Sequence, residues 1–391
     1  MRVQIITDYN EFKKLEQIWN EVLNRSNNNV FFLRHEWLSI WWEFCGDGHE
    51  LFIILVWDSE ELIAIAPLTV EKRKIMPILS LKSLKFIAHG VSDYLDFIIT
   101  KNSDACFKII FEQILDCREK WDCIDLFYIR GDSSNFRLFQ KYVKEYKALS
   151  GSIKAVDSSV VINLEEYSDW FDYFGKMDKK YRSDINRQEN RLNKLGNLIF
   201  DRVKTYNEGI EILSSFVKSH EKRWGAVFQR SQFSDSQSIE RYSRLLEVLT
   251  NKNLLDFSYL KLNAIPIAFH FGYIYNKQFY YYTPTFNPEY SIFSPGKIML
   301  KYLINKSFSE RLRYFDLLRG TEEYKMIWPN KLINLYQFRL FKTNLSGIIL
   351  FGIFQIFNVF KKLLISVANI SFGRKLLIIK RKILWKTKIE N

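Results

Sequence analysis

The chain predicts an α+β fold built from two halves that repeat one order of elements, and three features point to it. Short apolar runs with strand-like alternation are interleaved with stretches whose apolar residues recur at helical spacing. The order strand, helices, hairpin, helix, strand occurs once before about residue 158 and again after it, which is the pattern of a duplicated unit. Of the 391 residues 47% are hydrophobic and 16% aromatic, ample for packed cores and far from the composition of a disordered chain.

In the first half, residues 2–6 alternate like a strand, and Phe12, Leu15, Ile18, Trp19, Val22 and Leu23 form a helical stripe over 11–23. A Trp-rich helix is expected over 36–44. The runs 51–57 and 62–70 flank a turn at 58–61 and read as a hairpin. Strands over 84–88 and 94–100, a helix over 105–119 and a strand over 123–129 complete this half. The second half is expected to open with a strand at 160–164, a short helix near Trp170 and a basic helix over 176–195 ended by Gly196. A strand at 198–203 and helices at 207–224 and 233–250 follow. Next come a hairpin turning at Asn263-Ala264, an aromatic strand through Tyr280, a helix opening at Pro295-Gly296-Lys297, a strand at 314–319 and a last strand at 335–341. The domains expected are 1–157, 158–344 and a basic amphipathic helical tail, 345–391.

Charge is unevenly placed. From Ser346 onward nine Lys/Arg face Glu390 alone, so the tail carries +8 of the net +13. Gln355 and Asn358 interrupt its first apolar run, which is too short to span a bilayer. Apolar faces edged by Lys361, Lys362 and KRKILWKTK suit peripheral contact with an anionic membrane over 347–388, or else helices packed on the domains or mediating self-association. The N-terminus has no apolar signal-peptide core, so a cytoplasmic protein is expected, with a peripheral position at the inner face of the cell membrane as the option the tail adds. Cys45, Cys106, Cys117 and Cys123 show no paired spacing and read as reduced thiols. His35, His49, His89 and His270 are dispersed, with no metal-ligand spacing, so no metal is expected.

Two stretches carry the chemistry. A helix start leaves N–H groups unpaired at the positive end of its dipole, so Ser294, Pro295, Gly296 and Lys297 suit a phosphorylated ligand; a structural turn is the plain alternative. The strand at 314–319 ends in Asp316, Arg319, Gly320, Glu322, Tyr324 and Lys325, a polar crowding that favours chemistry over packing or else an ion-pair cluster. Proton transfer at such a site needs a base and an acid. Asp316 fits the base, Tyr324 the acid, and Arg319 and Lys325 an anionic group. His220, on a helix with Arg223 and Trp224, is a second catalytic candidate beside its structural reading, and Arg223 is a substrate-binding candidate. Between Lys176 and Lys194 seven basic residues face three acids, so Lys180 and Arg187 suit an anionic acceptor, or simply a solvated face. Asp93, in a two-lobed arrangement, would face a cleft between the halves, and a turn into the next strand explains it equally well. The aromatics lie in core-like patterns, so no specific nucleic acid is expected.

The words KKYRSDINRQENRL, SHEKRW, IPIAFHFGY, the stretch from Tyr280 to Ile304 and FDLLRGTEEYKMIW, with FFLRHEWLSIWWEF, IAPLTV and VSDYLDFII earlier, resemble the CelD-like acyltransferases of cellulose and exopolysaccharide biosynthesis. These are GNAT-superfamily proteins related to FemAB-type transferases, and the resemblance spans roughly residues 10–342. It implies two tandem GNAT-like folds with mixed sheets flanked by helices. Acetyl-CoA or another acyl-CoA would bind in the second, with Tyr281, Tyr282 and Thr283 beside the pantetheine arm and Ser294–Lys297 at the pyrophosphate. The expected activity is acyl transfer to an amino or hydroxyl group of a lipid- or nucleotide-linked sugar, or of another surface-polysaccharide precursor. An aminoacyl-tRNA donor in peptidoglycan synthesis and a non-catalytic membrane-associated scaffold are the alternatives.

Overall fold

The structure, a computed structural model, describes residues 1–74, 80–226, 228–344, 347–353 and 356. The first half contains β1 (Arg2–Ile6), α1 (Tyr9–Lys14), α2 (Glu16–Arg25), α3 (His35–Cys45), β2 (His49–Asp58), β3 (Glu61–Lys74), β4 (Ser80–Phe86), β5 (Ile98–Ile99), α4 (Ser103–Asp116), β6 (Cys123–Arg130) and α5 (Phe136–Glu145). After β7 (Leu149–Asn163) come α6 (Trp170–Lys176), α7 (Lys179–Leu195), β8 (Leu198–Arg202), α8 (Tyr206–Gly225), α9 (Ser236–Asn251), β9 (Leu255–Leu262), β10 (Ile265–Tyr275), β11 (Gln278–Phe286), α10 (Pro295–Ser309), β12 (Tyr314–Arg319), α11 (Glu323–Met326) and β13 (Lys331–Lys342).

All the strands share one sheet in the order β1-β2-β3-β4-β6-β13-β7-β12-β11-β10-β9-β8, with β5 beside β3. The order mirrors itself about the β13–β7 pair: β1 answers to β8, β2 to β9, β3 to β10, β4 to β11 and β6 to β12. Each half is an antiparallel meander followed by a helical crossover, α4 or α10, to a parallel neighbour, giving the β4–β6 and β11–β12 pairs. The duplication expected from element order is thus a pseudo-symmetric sheet, mixed in strand direction and flanked by helices.

Local chemistry starts the helices that frame the second half. Asp169, Asp178, Thr205 and Asp235 each accept a first-turn N–H, opening α6, α7, α8 and α9. Strands β9 and β10 are buried along nearly their whole length because helices cover both faces, so they read as continuous apolar runs. One core fills the first half and continues under α8 and α9; a second lies beneath α6, α7 and α10.

Several expectations change. The helix over 11–23 breaks at Leu15 into α1 and α2. The strand over 94–100 shrinks to Ile98–Ile99, because Tyr94 and Asp96 spend their side chains on buried polar contacts rather than on a ladder. The sequence reading omits α5 and the first part of β7, whose polar run SGSIKAVDSS is held by β13 along its length. The division at 157/158 falls inside β7. The four cysteines are free thiols, two buried and two half-buried. Among the described residues no helix is long and apolar enough to cross a membrane. Beyond residues 347–353 and 356, the tail expectation lies outside the described residues.

Candidate active-site cleft

Strands β11 and β12 pair at Gln278–Tyr314, Phe279–Phe315 and Tyr280–Asp316, and then part. On the β12 side, Leu318 (φ 62°) and Gly320 (φ 97°) turn the chain away. The φ of Gly320 favours glycine, while the Glu322 carboxylate, 2.7 Å from where a Cβ would lie, belongs to an exposed side chain that can swing aside. On the β11 side the register with β10 slips between Phe271 and Tyr273. The buried His270 ring fills the slip, and its Nε2 accepts the Tyr282 N–H at 3.2 Å. A Cβ at Gly272 would strike that ring at 2.2 Å. Burial pushes His270 below its ordinary value, so it is neutral, with Nδ1 toward Asp256, 3.8 Å away. Lys306 holds the other Asp256 oxygen at 2.6 Å.

The parted strands floor a cavity of about 740 Å³. Its walls are the end of β12 with the turn to Lys325, the C-terminal end of α8, and the first-half loop through Gly90, Val91 and Asp93. A second cavity of about 230 Å³ adjoins it under the start of α10, lined by Phe269, Phe286, Met299, Ser294, Gly296 and Lys297. Arg223, Tyr281, Pro284 and Tyr324 line both.

The residues proposed for the donor fall here. Tyr281, Tyr282 and Thr283 line the larger cavity; Ser294, Gly296 and Lys297 line the smaller, with Pro295 buried behind them. Ser294 sits in the left-handed region (φ 50°) and its side chain caps nothing. The Lys297 and Ile298 N–H groups turn back onto the Ser294 carbonyl, and Pro295 has none, so Gly296 supplies the outward N–H of the helix start. A Cβ at Gly296 would meet only Phe286, at 3.4 Å. A polar helix start beside an apolar wall fits a phosphorylated arm that ends in a thioester. One backbone donor is unavailable, because the Tyr282 N–H is already given to His270.

The acid/base candidates separate. Tyr324 stands at the junction of the cavities, and burial raises its pKa, so it carries its proton at neutral pH. Asp316 is fully buried and lines neither cavity. Its oxygens accept from Tyr94 Oη at 2.7 and 2.8 Å, Gln278 Nε2 at 2.8 Å and the Leu318 N–H at 2.8 Å, which makes it a structural anchor and not a base facing substrate. His220 also differs from expectation. Its Nε2 accepts the Trp224 indole N–H at 2.9 Å and its Nδ1 lies 2.8 Å from Ser231 Oγ, so both ring nitrogens are spent. Burial lowers its pKa to about 4, with the Arg223 charge acting the same way. His220 positions Trp224 and the 231 turn.

Among the acceptor candidates, Asp93 and Arg319 meet in the cleft, Arg319 Nε to Asp93 Oδ1 at 2.7 Å. Burial raises the Asp93 pKa to about 6, against the opposing pull of Arg319 and with help from Asp316. The Arg319 guanidinium stacks 4.1 Å above the Tyr128 ring. Arg223 lies over Phe286 at 4.6 Å and donates to the Pro284 carbonyl at 3.3 Å. Lys325 borders the cavity, but its ammonium is used internally, by the Arg319 carbonyl at 2.5 Å and Glu322 at 2.9 Å; it braces the turn. Lys180 is exposed and lines neither cavity, whereas Arg187 pairs with Asp184 at 2.6 Å beside a separate shallow groove on α7. Trp224, named above beside His220, lines the cleft, and so do Arg230 and Gln232, which nothing local in the sequence marks. His49 and His89, dispersed in sequence, converge on Glu71.

Residues 179–326 match the family model described as an acetyltransferase (GNAT) domain. No curated protein matches the sequence. Among solved structures, FemX superposes with a TM-score of 0.62 at 11% identity, covering 86% of this chain and 97% of its own. A conserved protein of unknown function from Bacteroides thetaiotaomicron gives 0.54 at 12% identity, covering 87% and 100%. The C-terminal domain of a putative lysylphosphatidylglycerol synthetase from Agrobacterium fabrum gives 0.51 at 8%, covering 87% and 95%. At such identities the likeness is one of fold. With the mirrored sheet and the family match within its second half, the chain is a tandem arrangement of two GNAT-like folds, the second of which contains the residues that match the acetyltransferase (GNAT) domain model.

Proposed function

We propose that the chain transfers an acyl group, acetyl in the simplest case, from acyl-CoA to an amino or hydroxyl group of a sugar or surface-polysaccharide precursor. The observation that carries this reading is the parting of β11 and β12 beside the start of α10, with Arg223 and Tyr324 shared by the two cavities formed there. The smaller cavity takes the phosphorylated arm at Gly296 and Lys297, and the thioester reaches the junction at Tyr324. The acceptor occupies the larger, where Asp93, Arg319, Arg230 and Gln232 offer the polar contacts a hydroxyl-rich molecule needs.

In the step we propose, the acceptor nitrogen or oxygen attacks the thioester carbonyl while Asp93 takes its proton. The C–S bond breaks, and the Tyr324 hydroxyl protonates the departing thiolate. No covalent enzyme intermediate is invoked. Support for the sugar acceptor comes from the CelD-like sequence words and the polar cleft.

The test is calorimetric titration of the purified protein with acetyl-CoA and CoA, repeated on Gly296→Trp, which fills the smaller cavity, and on Gly296→Ala, which its surroundings accommodate. Micromolar binding retained by Ala and lost by Trp is expected. A folded protein that binds neither ligand, with an activity abolished by ribonuclease, would replace the donor by an aminoacyl-tRNA; a folded protein with no binding and no activity would favour a scaffold.

A further inference from the structure

We infer that His49, Glu71 and His89 form a site for a borderline divalent transition-metal ion of the zinc class, and that the ion pins the loop running from His89 to Asp93. His49 opens β2 and stands directly opposite Glu71 of β3 in the antiparallel register. His89 follows β4, whose pairing with β3 brings it to the same place. Glu71 Oε1 lies 3.9 Å from His49 Nε2 and 3.8 Å from His89 Nε2.

Both separations are too long for hydrogen bonds and close to what one shared ion requires. Ligand bonds of about 2.0–2.1 Å at tetrahedral angles put ligand atoms about 3.4 Å apart. The outer contacts are also those of metal-binding imidazoles. His49 Nδ1 lies 3.1 Å from the Asp47 carbonyl and His89 Nδ1 3.2 Å from the Phe86 carbonyl. A carbonyl only accepts, so each Nδ1 carries a proton and each Nε2 has its lone pair free for the centre. His49 Nε2 is buried with no hydrogen-bond partner. Lys85 holds Glu71 Oε2 at 2.5 Å, leaving Oε1 as a single ligand atom. The Trp41 ring, 5.2 Å from His49 and 5.6 Å from His89 between centroids, shields one side. Two imidazoles and one carboxylate suit zinc, with water completing four-coordination.

The site is one residue from the cleft, whose rim includes Gly90, Val91 and Asp93. Ala88 (φ 60°) and Gly90 (φ 88°) both lie in the left-handed region, so this loop needs holding. Tyr282 Oη on the Val91 carbonyl and Trp37 Nε1 on Ser92 Oγ, each at 2.8 Å, fix its far end, and the metal would fix His89.

The experiment titrates tag-free, chelator-treated protein with Co²⁺ and then Zn²⁺, followed by visible absorption. We expect one equivalent of cobalt with tetrahedral ligand-field bands, displaced by zinc, and an affinity lowered more than about tenfold in His49→Ala, His89→Ala and Glu71→Gln. Zinc should also slow amide exchange across 87–93 in the wild-type protein. The site is overturned if wild type binds neither ion, or if binding is indifferent to all three substitutions; zinc bound without any change in exchange overturns the clamp.

Discussion

Arg319 Nε forms an ion pair with Asp93 Oδ1 at 2.7 Å, tying the last residue of β12 to a first-half loop across the cleft. The pair leaves a carboxyl that burial raises to about 6 on the wall of the larger cavity, where the proposed acceptor would lie. A base acts as the carboxylate, so the transfer rate should climb as pH rises through about 6 and level off above it. Asp93→Asn is expected to lower kcat by roughly 10²–10⁴-fold and to erase that limb. A variant that keeps the wild-type profile in a kcat–pH series removes Asp93 from the step.

Tyr324 stays protonated well past neutrality because it is buried. With the ring retained, Tyr324→Phe keeps the cavity walls and removes the only proton proposed for the leaving thiolate. Its kcat should fall by roughly 10²-fold or more, with acyl-CoA affinity within a few-fold of wild type. Steady-state kinetics read beside calorimetry separate the two; equal losses in both would make the tyrosine a binding group.

His220 is predicted to matter for stability more than for chemistry. His220→Ala orphans the Trp224 indole and Ser231, costing on the order of 1–3 kcal/mol in urea unfolding. Since its pKa is lowered to about 4, the imidazole is neutral at any working pH, and the kcat–pH profile above pH 5 should keep its shape in the variant. Loss of the rising, acid-side limb in this variant would restore His220 as a base.

Asp96 offers a linkage test away from the cleft. It accepts from Asn28 at 2.9 Å, Ser133 at 2.5 Å, Asn135 at 2.9 Å and the Phe97 N–H at 2.7 Å, yet burial outweighs these bonds and raises it from 3.8 to about 6. The folded state then holds the proton more tightly than the unfolded chain. Its contribution is fully present below about pH 4 and is lost as pH rises to about 6, by about 3 kcal/mol at most. Relative to wild type, Asp96→Asn should therefore gain stability between pH 4 and 6 and stay level above, as measured by urea midpoints across that range.

Much of this was legible in the chain. Hairpins and amphipathic helices follow from periodicity, and the strand and helix start that frame the donor cavity stand together in one continuous stretch. The hidden part is long-range. Asp316 lies within β12 and Asp93 on a loop; pairing of β12 with β7 and β11 buries the first, while the second lines the cleft, and neither outcome is readable from the local sequence. Lys325 and His220 have reactive groups whose partners lie a turn or a loop away, and spacing does not say that those partners use them up. One signal was available: Asp125-Leu126 with Arg130-Gly131 repeats as Asp316-Leu317 with Arg319-Gly320, and Tyr128 (φ 63°) matches Leu318 (φ 62°), marking the same strand end in each half.

The place of β13, between β6 and β7, bears on how the chain is made. Gln337 meets Asp125 across 212 residues, so the first half cannot close its sheet until nearly everything described has left the ribosome. Until then β6 and β7 wait with bare edges. A fragment ending at residue 157 would keep those edges permanently and be prone to self-pairing, whereas the full chain supplies its own gatekeeper last.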